Sequence, residues 1–200
     1  MSNNNIQQRT QNIILHNIKY LELLLNNTSF FNTLEEALAL ILKAKNKLVF
    51  SGVGKSWIIA NKICASFVST GTFACCLNPM DAMHGDLGVM QDDDVLICLS
   101  NSGNTEELVR LAEVIKEKKN QIIVITGNSS STLARMSDVC LAFTNKEASL
   151  LGAPTTSCII SLLIGDILCI LTYEAKEFGA QEYLALHPAG AIGAHLSSII

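Results

Sequence analysis

The 200-residue sequence has little net charge, and its Lys and Arg residues are scattered rather than gathered in a stripe. It carries 14 Lys and Arg against 18 Asp and Glu, which gives a formal net charge of −4 at pH 7. Because nucleic-acid binding depends on basic stripes that neutralise phosphates, this balance argues against a nucleic-acid partner. A small anionic substrate remains compatible, since local backbone amides bind what the overall field does not attract.

Metal-binding and membrane-spanning patterns are also lacking. The seven cysteines form no C-x-x-C pair, and the four histidines have no ligand spacing with them, so we predict no metal site and no cofactor. Most cysteines lie inside apolar runs, which is typical of reduced core residues in a cytosolic protein. The N-terminus, Met1–Thr10, is polar and unlike a signal peptide. The longest apolar stretch, 158–173, contains Asp166 and favours a buried helix, so we expect a cytoplasmic protein without membrane association.

No internal repeat, low-complexity tract or proline-rich linker divides the chain, which has only 3 prolines. The length suits one domain with a substantial core. We therefore predict a single domain over 1–200. It consists of a helical N-terminal segment (11–45), a sheet core (46–180) and a C-terminal tail (181–200).

Short apolar runs alternate with helical patterns through most of the sequence. This alternation predicts βαβ units around a parallel sheet of five strands, with helices on both faces. Strands are expected at 47–51, 73–77, 94–100, 121–126 and 139–143. Helices between and after them are expected at 55–70, 105–119, 131–136 and 154–178.

Two further helices are predicted ahead of the first strand. The earlier one covers about 11–26, where apolar residues recur at helical spacing. These residues are Ile14, Ile18, Leu21 and Leu25. The later helix is predicted to begin at the capping box Thr33-x-x-Glu36. The apolar stripe of the earlier helix packs either on the same domain or on a partner, and the pattern leaves both open.

Two polar, glycine-containing turns each join a predicted strand to a predicted helix. Their sequences are Ser51-Gly-Val-Gly-Lys-Ser56 and Ser100-Asn-Ser-Gly-Asn-Thr105. The first amides of a helix have no intrahelical acceptor and the helix dipole favours negative charge there, so such turns bind phosphate. The same residue types also make ordinary tight turns. Two such turns at the carboxyl ends of parallel strands, where ligands bind, favour a phosphate site.

The first turn matches neither of two common nucleotide-binding motifs. A Walker loop needs a glycine at the position of Val49, and a dinucleotide loop needs one at the position of Trp57. The remaining interpretation of the first turn is an exposed backbone ending in Lys55. This cation either meets a phosphate or a developing enolate oxygen, or is only an exposed lysine on a first helical turn.

Five segments together resemble the SIS (sugar isomerase) domain family and, within it, the arabinose 5-phosphate isomerases. They are Gly52-Val-Gly-Lys-Ser56, His84-Gly-Asp86, Ser100-x-Ser-Gly-x-Thr-x-Glu107, Glu147-Ala148 leading to Ala153-Pro-Thr-Thr156, and His187-Pro-Ala-Gly-Ala-Ile-Gly193. The resemblance extends over nearly the whole chain. It implies a flavodoxin-like, three-layer α-β-α sandwich around a five-stranded parallel sheet. Many members of the family continue into a pair of CBS domains, which this sequence does not contain.

The resemblance implies an enzyme that interconverts D-arabinose 5-phosphate and D-ribulose 5-phosphate through an enediol. Such a reaction needs a base beside the carbonyl and a cation or donor for the enediolate oxygen. The family pattern implies Glu147 as base, Lys55 as electrophile or phosphate partner, and Glu107 as a second acid/base or positioning carboxylate. It implies His84 and His187 as proton carriers. Members of this family generally form dimers or tetramers, so the resemblance implies a homotetramer. Because His187 lies far along the chain, we expect it to enter a neighbouring subunit's site.

The same resemblance implies that the sugar phosphate is bound by residues of the two polar turns. These are Gly54, Ser56, Ser100, Asn101, Ser102 and Thr105. Glu107 also reads as the third-position carboxylate of a capping box, and Glu147 as a solvated loop residue. Two alternative functions stay open: an isomerase of a hexulose or amino-sugar phosphate, and a phosphosugar-binding sensor without turnover.

Overall fold

The computed structural model describes residues 3–189, which form a five-stranded parallel sheet with helices on both faces. The strands are β1 (Leu48–Gly52), β2 (Ala74–Cys76), β3 (Val95–Leu99), β4 (Gln121–Thr126) and β5 (Val139–Ala142). The helices are α1 (Asn3–Leu25), α2 (Thr28–Lys43), α3 (Lys55–Ser69), α4 (Pro79–Ala82), α5 (Glu106–Glu117), α6 (Thr132–Met136), α7 (Thr156–Ala175) and α8 (Ala180–Leu186). The predicted α/β sandwich is confirmed.

The strand order in the sheet is β2-β1-β3-β4-β5, and every neighbouring pair is parallel. β1 therefore pairs with both β2 and β3, with Phe50 opposite Cys76 on one side and Ile97 on the other. The chain leaves β1 in one direction across the sheet and leaves β3 in the other. The strand order thus reverses between β1 and β3, and this switch point is where flavodoxin-like sheets bind ligands.

Two apolar layers cover the sheet. One face packs against α1, α2, α3 and α7, and the other packs against α4, α5 and α6. All residues of β1 and β3 are buried, because both of their faces are covered. This double burial explains why these strands appear as continuous apolar runs rather than alternating ones.

Within residues 3–189, α7 is the one helix that is long and apolar enough to cross a membrane. It instead packs in the core, where the backbone at Gly165 closely approaches the side chain of Ile63 on α3. Lys62 Nζ donates to Asp166 Oδ1 at 2.5 Å across the same helix pair. The prediction that this stretch forms a buried helix is confirmed.

The predicted start of α2 is wrong. The helix begins at Thr28, and the side chain of Asn27 accepts a hydrogen bond from the amide of Phe30. Thr33 lies inside the helix, and its Oγ1 donates to the carbonyl of Ser29. The asparagine cap, six residues earlier, satisfies the free amide of Phe30 and adds nearly two turns, so the capping box at Thr33 is not used.

Most of the apolar stripe of α1 does not pack on the core of this domain, and of its four residues only Leu21 lies against that core. Ile14, Ile18 and Leu25 are 53%, 43% and 68% exposed, whereas Tyr20 and Leu24 are buried against the core. The large Tyr20 ring takes the inward position and rotates the aliphatic stripe to the surface. The helix also starts earlier than predicted, at Asn3.

Candidate active site

The two polar turns meet at the carboxyl edge of the sheet, at the switch point. Gly52, the last residue of β1, lies opposite Leu99, the last residue of β3. The turn after β1 leads into α3, and the turn after β3 leads into α5. The two predicted phosphate-binding segments are therefore neighbours in space.

Both helices begin without a side-chain cap. The N-cap of α3 is Gly54 (φ 61°, ψ −123°), a backbone conformation that favours glycine, and the N-cap of α5 is Thr105. Neither residue's side chain accepts from a first-turn amide. In the described part of the chain, the first three amides of each helix thus point outward without an acceptor. Together with the helix dipole, they form a ready site for an anion.

The turn between β3 and α5 is rigid. Ser100 Oγ accepts a hydrogen bond from the amide of Gly103 at 3.0 Å and bonds to Thr105 Oγ1 at 3.1 Å. Gly103 has φ +64°, and a Cβ there would collide with the side chain of Ser131. The amide of Thr132 donates to Asn104 Oδ1 at 2.9 Å. A rigid turn holds its donors in place before a ligand arrives, which lowers the entropic cost of binding.

Residues of this turn differ in what they offer to a ligand. Ser100 is buried and serves the turn itself, whereas Ser102 is exposed. The side chain of Asn101 accepts from Asn145 Nδ2 at 2.8 Å, and its carbonyl accepts from the amide of Gly127 at 3.1 Å. In this structure Asn101 therefore ties the turn to the segments that follow β4 and β5.

The Glu147 carboxylate caps the start of α7. One oxygen accepts from the amides of Thr155 and Thr156 at 2.8 and 2.7 Å and from Thr155 Oγ1 at 3.1 Å. The other accepts from the amide of Ser157 at 3.3 Å and from Ser157 Oγ. A carboxylate from a preceding loop thus satisfies the free amides of this helix and complements its dipole.

The carboxylates of Glu147 and Glu107 therefore differ in their hydrogen bonding. Burial alone would raise the pKa of Glu147, but the hydrogen bonds from Ser157, Thr155 and Thr156 outweigh it and hold the pKa below its usual value. A lower pKa makes a weaker base. Glu107 is half-buried in the first turn of α5, and within residues 3–189 its carboxylate has no hydrogen-bond partner.

Lys55 and Glu147 both act on the thiol of Cys158, in the first turn of α7. Burial raises the pKa of Cys158, the Glu147 charge raises it further, and Lys55 lowers it. Both charges are therefore near enough to the first turn of α7 to affect this thiol. Lys55 is exposed, as a group that meets a charged ligand must be.

The two candidate histidines are placed differently. His84 is exposed and follows α4, at the same edge of the sheet as the polar turns. His187 donates from Nδ1 to the carbonyl of Tyr183 at 2.9 Å, and the two rings are 4.1 Å apart. Tyr183 lines a cavity of about 300 Å³ together with Thr70.

Thr70 ends α3 and precedes β2, at the amino edge of the sheet. The Phe178 ring packs there against Gly71. Within its own chain, His187 therefore lies at the opposite end of the sheet from the polar turns. The rest of its predicted motif, 190–193, lies outside the described residues.

Several contacts around Glu147 have no counterpart among the predictions from sequence. Arg9 Nη2 donates to the carbonyl of Ala148 at 2.9 Å, and His16 Nε2 donates to the carbonyl of Lys146 at 2.6 Å. Both donors belong to α1, which is remote in sequence. Pro154-Thr-Thr-Ser157 is typical of a helix start, but it gives no sign that Glu147 supplies the acceptor.

No group of three or more His, Cys, Asp or Glu side chains among the described residues could hold a metal ion. The predicted absence of a metal and of a cofactor stays a prediction.

Comparison with known proteins gives consistent matches. Residues 40–171 match the model of the SIS domain. An uncharacterized protein of Rickettsia prowazekii is 39% identical over 201 residues, which is 100% of this chain and 62% of that protein. The arabinose 5-phosphate isomerase KdsD of Pseudomonas aeruginosa is 42% identical over 163 residues, or 80% of this chain and 50% of that protein. The chain thus spans about half the length of the curated relatives it matches.

Solved structures are also similar. An Escherichia coli CFT073 protein in complex with arabinose 5-phosphate has a TM-score of 0.88 and 32% identity, covering 94% of this chain and 100% of that one. A protein from Bacteroides fragilis NCTC 9343 has a TM-score of 0.84 and 38% identity, covering 91% and 97%.

Proposed function

The chain belongs to the SIS domain family, and we propose that it isomerises D-arabinose 5-phosphate to D-ribulose 5-phosphate. The observation that carries the proposal is the pair of uncapped helix starts at the switch point, with Lys55 and Glu107 in their first turns. The free amides suit a phosphate, and the two side chains suit proton transfer beside it. The name of the Pseudomonas relative and the sugar phosphate bound in the E. coli structure support the choice of sugar.

The reaction begins with the open-chain aldehyde form of the sugar. A carboxylate removes the proton from C2, the electron pair forms a C1=C2 double bond, and the aldehyde oxygen takes up a proton. The enediol then receives a proton at C1 and loses one from the C2 hydroxyl, which gives the ketose. Lys55 stabilises the negative charge that develops on oxygen during the transfer.

The resemblance assigns proton removal to Glu147, but the contacts favour exchanging the roles of the two carboxylates. The Glu147 oxygens are occupied by donors from α7, whereas those of Glu107 are free to receive a proton. We therefore propose Glu107 as the acid/base. Glu147 instead caps the start of α7.

The reaction is tested by measuring ketose formation by the purified protein from D-arabinose 5-phosphate, ribose 5-phosphate, glucose 6-phosphate and an amino-sugar phosphate. We expect turnover of the arabinose compound alone. If a different sugar phosphate is turned over instead, the proposed substrate is wrong and the proposed reaction class is retained. If no compound reacts while one of them raises the melting temperature, the protein is a phosphosugar sensor and the catalytic proposal fails.

The exchange of roles is tested with Glu107→Gln, Glu147→Gln and the neighbouring control Glu106→Gln. Loss of general acid/base catalysis typically costs 10²–10⁴-fold, so we expect kcat of Glu107→Gln to fall by about a thousandfold. Exchange of the C2 proton with deuterated water should fall with it. Glu147→Gln should retain exchange of the C2 proton, and Glu106→Gln should match the wild-type protein. Loss of exchange in Glu147→Gln but not in Glu107→Gln would restore the first assignment.

We further propose that His187 completes the site of a second subunit in a homotetramer. Its position at the amino edge of its own sheet supports this, as does the exposed aliphatic stripe of α1. Co-expression of Glu107→Gln with His187→Ala should recover activity that neither has alone, because some mixed sites contain both native residues. Absence of recovery, or a monomeric mass in light scattering, would contradict the shared site.

A further inference from the structure

α1 extends well beyond the core that it helps to cover. Among its described side chains, the buried ones are Tyr20 and Leu24, in the last two turns of the helix. The part of the helix before Tyr20 instead lies over residues 144–155, which carry Glu147 and are called the Glu147 loop below. Two side chains of this part bond to that loop, and apolar burial does not account for the length of the helix.

The two α1 donors bind the carbonyls on either side of Glu147. His16 Nε2 donates to the Lys146 carbonyl at 2.6 Å, and Arg9 Nη2 donates to the Ala148 carbonyl at 2.9 Å. The Glu147 side chain meanwhile bonds to the first turn of α7. The residue is thus held through its backbone by α1 and through its carboxylate by α7.

The Glu147 loop has few other means of keeping its shape. It contains no helix or strand, and Leu150 and Leu151 are 98% and 97% exposed. Apart from the bonds of the Glu147 carboxylate, the amides of Gly152 and Ala153 donate to Ser149, and Asn145 Nδ2 donates to Asn101 Oδ1 at 2.8 Å. A segment without apolar burial is positioned mainly by its hydrogen bonds, and the charged Arg9 supplies a stronger one than a neutral donor does.

We propose that Arg9 and His16 are positioning residues of the site, which fix the Glu147 loop from α1 and so keep the Glu147 carboxylate in the cap of α7. The expected effect on kcat rests on the proposed function, whereas the tether of the loop to α1 does not. Both residues bond to the Glu147 loop and not directly to the polar turns that receive the phosphate, so we expect the change in kcat rather than in KM.

The test uses variants that remove each donor and keep its packing. Arg9→Met retains the aliphatic stem, and His16→Phe retains a ring against Tyr20, which lies 5.0 Å from the imidazole. We expect kcat of the double variant to fall about tenfold with KM unchanged, and Arg9→Lys to restore most of it. Gln8→Ala, whose side chain bonds only to Asn12 within α1, is the matched control and should leave kcat unchanged. An unchanged kcat in the double variant would overturn the proposal.

A double-mutant cycle separates positioning from general destabilisation. If α1 acts through Glu147, adding Arg9→Met and His16→Phe to Glu147→Gln should lower kcat by less than about twofold further. A further tenfold loss of kcat in the Glu147→Gln protein would show that α1 acts independently of Glu147, and would overturn the proposal.

Hydrogen exchange tests the tether independently of the isomerase reaction. Amides of residues 145–157 should exchange at least about tenfold faster in the Arg9→Met, His16→Phe variant, while those of β3 stay as in the unchanged protein. Equal exchange of the loop in both proteins would overturn the tether. If the loop exchanges faster but the unchanged protein isomerises no sugar phosphate, the proposed function fails and the tether is retained.

Discussion

The two ends of the central strand pair, β1 and β3, use polar groups in opposite ways. At the amino end, Lys47 and Asp94 immediately precede the two strands and form a buried ion pair of 2.6 Å, with side chains 6% and 0% exposed. At the carboxyl end, the amides of α3 and α5 have no side-chain cap. The same pair of strands is therefore closed by charge at one end and open to an anion at the other.

The buried Asp94 carboxylate at the amino end is satisfied by a compact network. Asp94 also accepts from the amides of Lys47 and Gln91, at 3.1 and 2.7 Å. Asn120 Nδ2 donates to the carbonyls of Gln91 and Asp94. A buried charge is tolerated only with such a complete set of partners. The comparison indicates that stability resides at the amino end, whereas the carboxyl end keeps unsatisfied donors for a ligand.

The largest effect on stability is expected from Asp94→Ala. This change leaves the buried Lys47 charge and two backbone amides without their acceptor. Breaking a buried ion pair in this way costs about 3–5 kcal/mol in the free energy of unfolding. Lys47→Met should cost less, because Asp94 keeps its two backbone donors. Urea unfolding measures both, and kcat/KM of the folded fraction should not change. An equal loss in both variants would contradict the special role of Asp94.

A smaller loss is expected from Gly103→Ala at the open end. The positive φ and the collision with Ser131 predict a cost of about 2 kcal/mol and weaker binding of the phosphosugar. Gly88→Ala is the control, because no atom lies within 4 Å of its added Cβ. It should change stability by less than about 0.5 kcal/mol. If Gly103→Ala matched this control, the turn would not be rigid.

The smallest effect is the pH dependence contributed by Glu147. Its pKa lies below that of the unfolded chain, so its stabilisation is complete above the unfolded value and is lost as the pH falls through the folded one. The difference in unfolding free energy between the unchanged protein and Glu147→Gln should be about 1 kcal/mol at pH 7 and shrink below about pH 4. A difference that stays constant down to about pH 3 would contradict the cap.

Much of the sheet could be predicted from the sequence because the strands are buried on both faces. Continuous apolar runs such as Val95–Leu99, each followed by a polar turn, set strand positions and the location of the candidate site. The short helices α4 and α8 were not predicted, since four and seven residues give too little periodicity. Periodicity likewise could not choose between the two faces of α1, because packing of Tyr20 decides that choice.

The candidate site residues likewise fall into those that local patterns predict and those that tertiary contacts decide. Spacing and residue type indicated that Lys55 and Glu107 begin helices at the ligand edge. The cap formed by Glu147 depends on where a loop folds back, and the contacts of Arg9 and His16 join segments far apart in the chain. Tertiary contacts of this kind leave no local pattern in a single sequence.

The pairing of β1 with β3 also bears on how the protein folds. Leu48 pairs with Val95, so the central contact of the sheet closes a long loop that contains α3 and β2. Such non-local parallel pairing forms slowly, because the chain must lose the entropy of the open loop before the strand contacts can compensate for that loss. The candidate site lies on top of this one contact and cannot exist in an isolated half of the chain. Its appearance during refolding would therefore mark completion of the sheet, and a nascent chain still short of β3 would carry none of its anion-binding geometry.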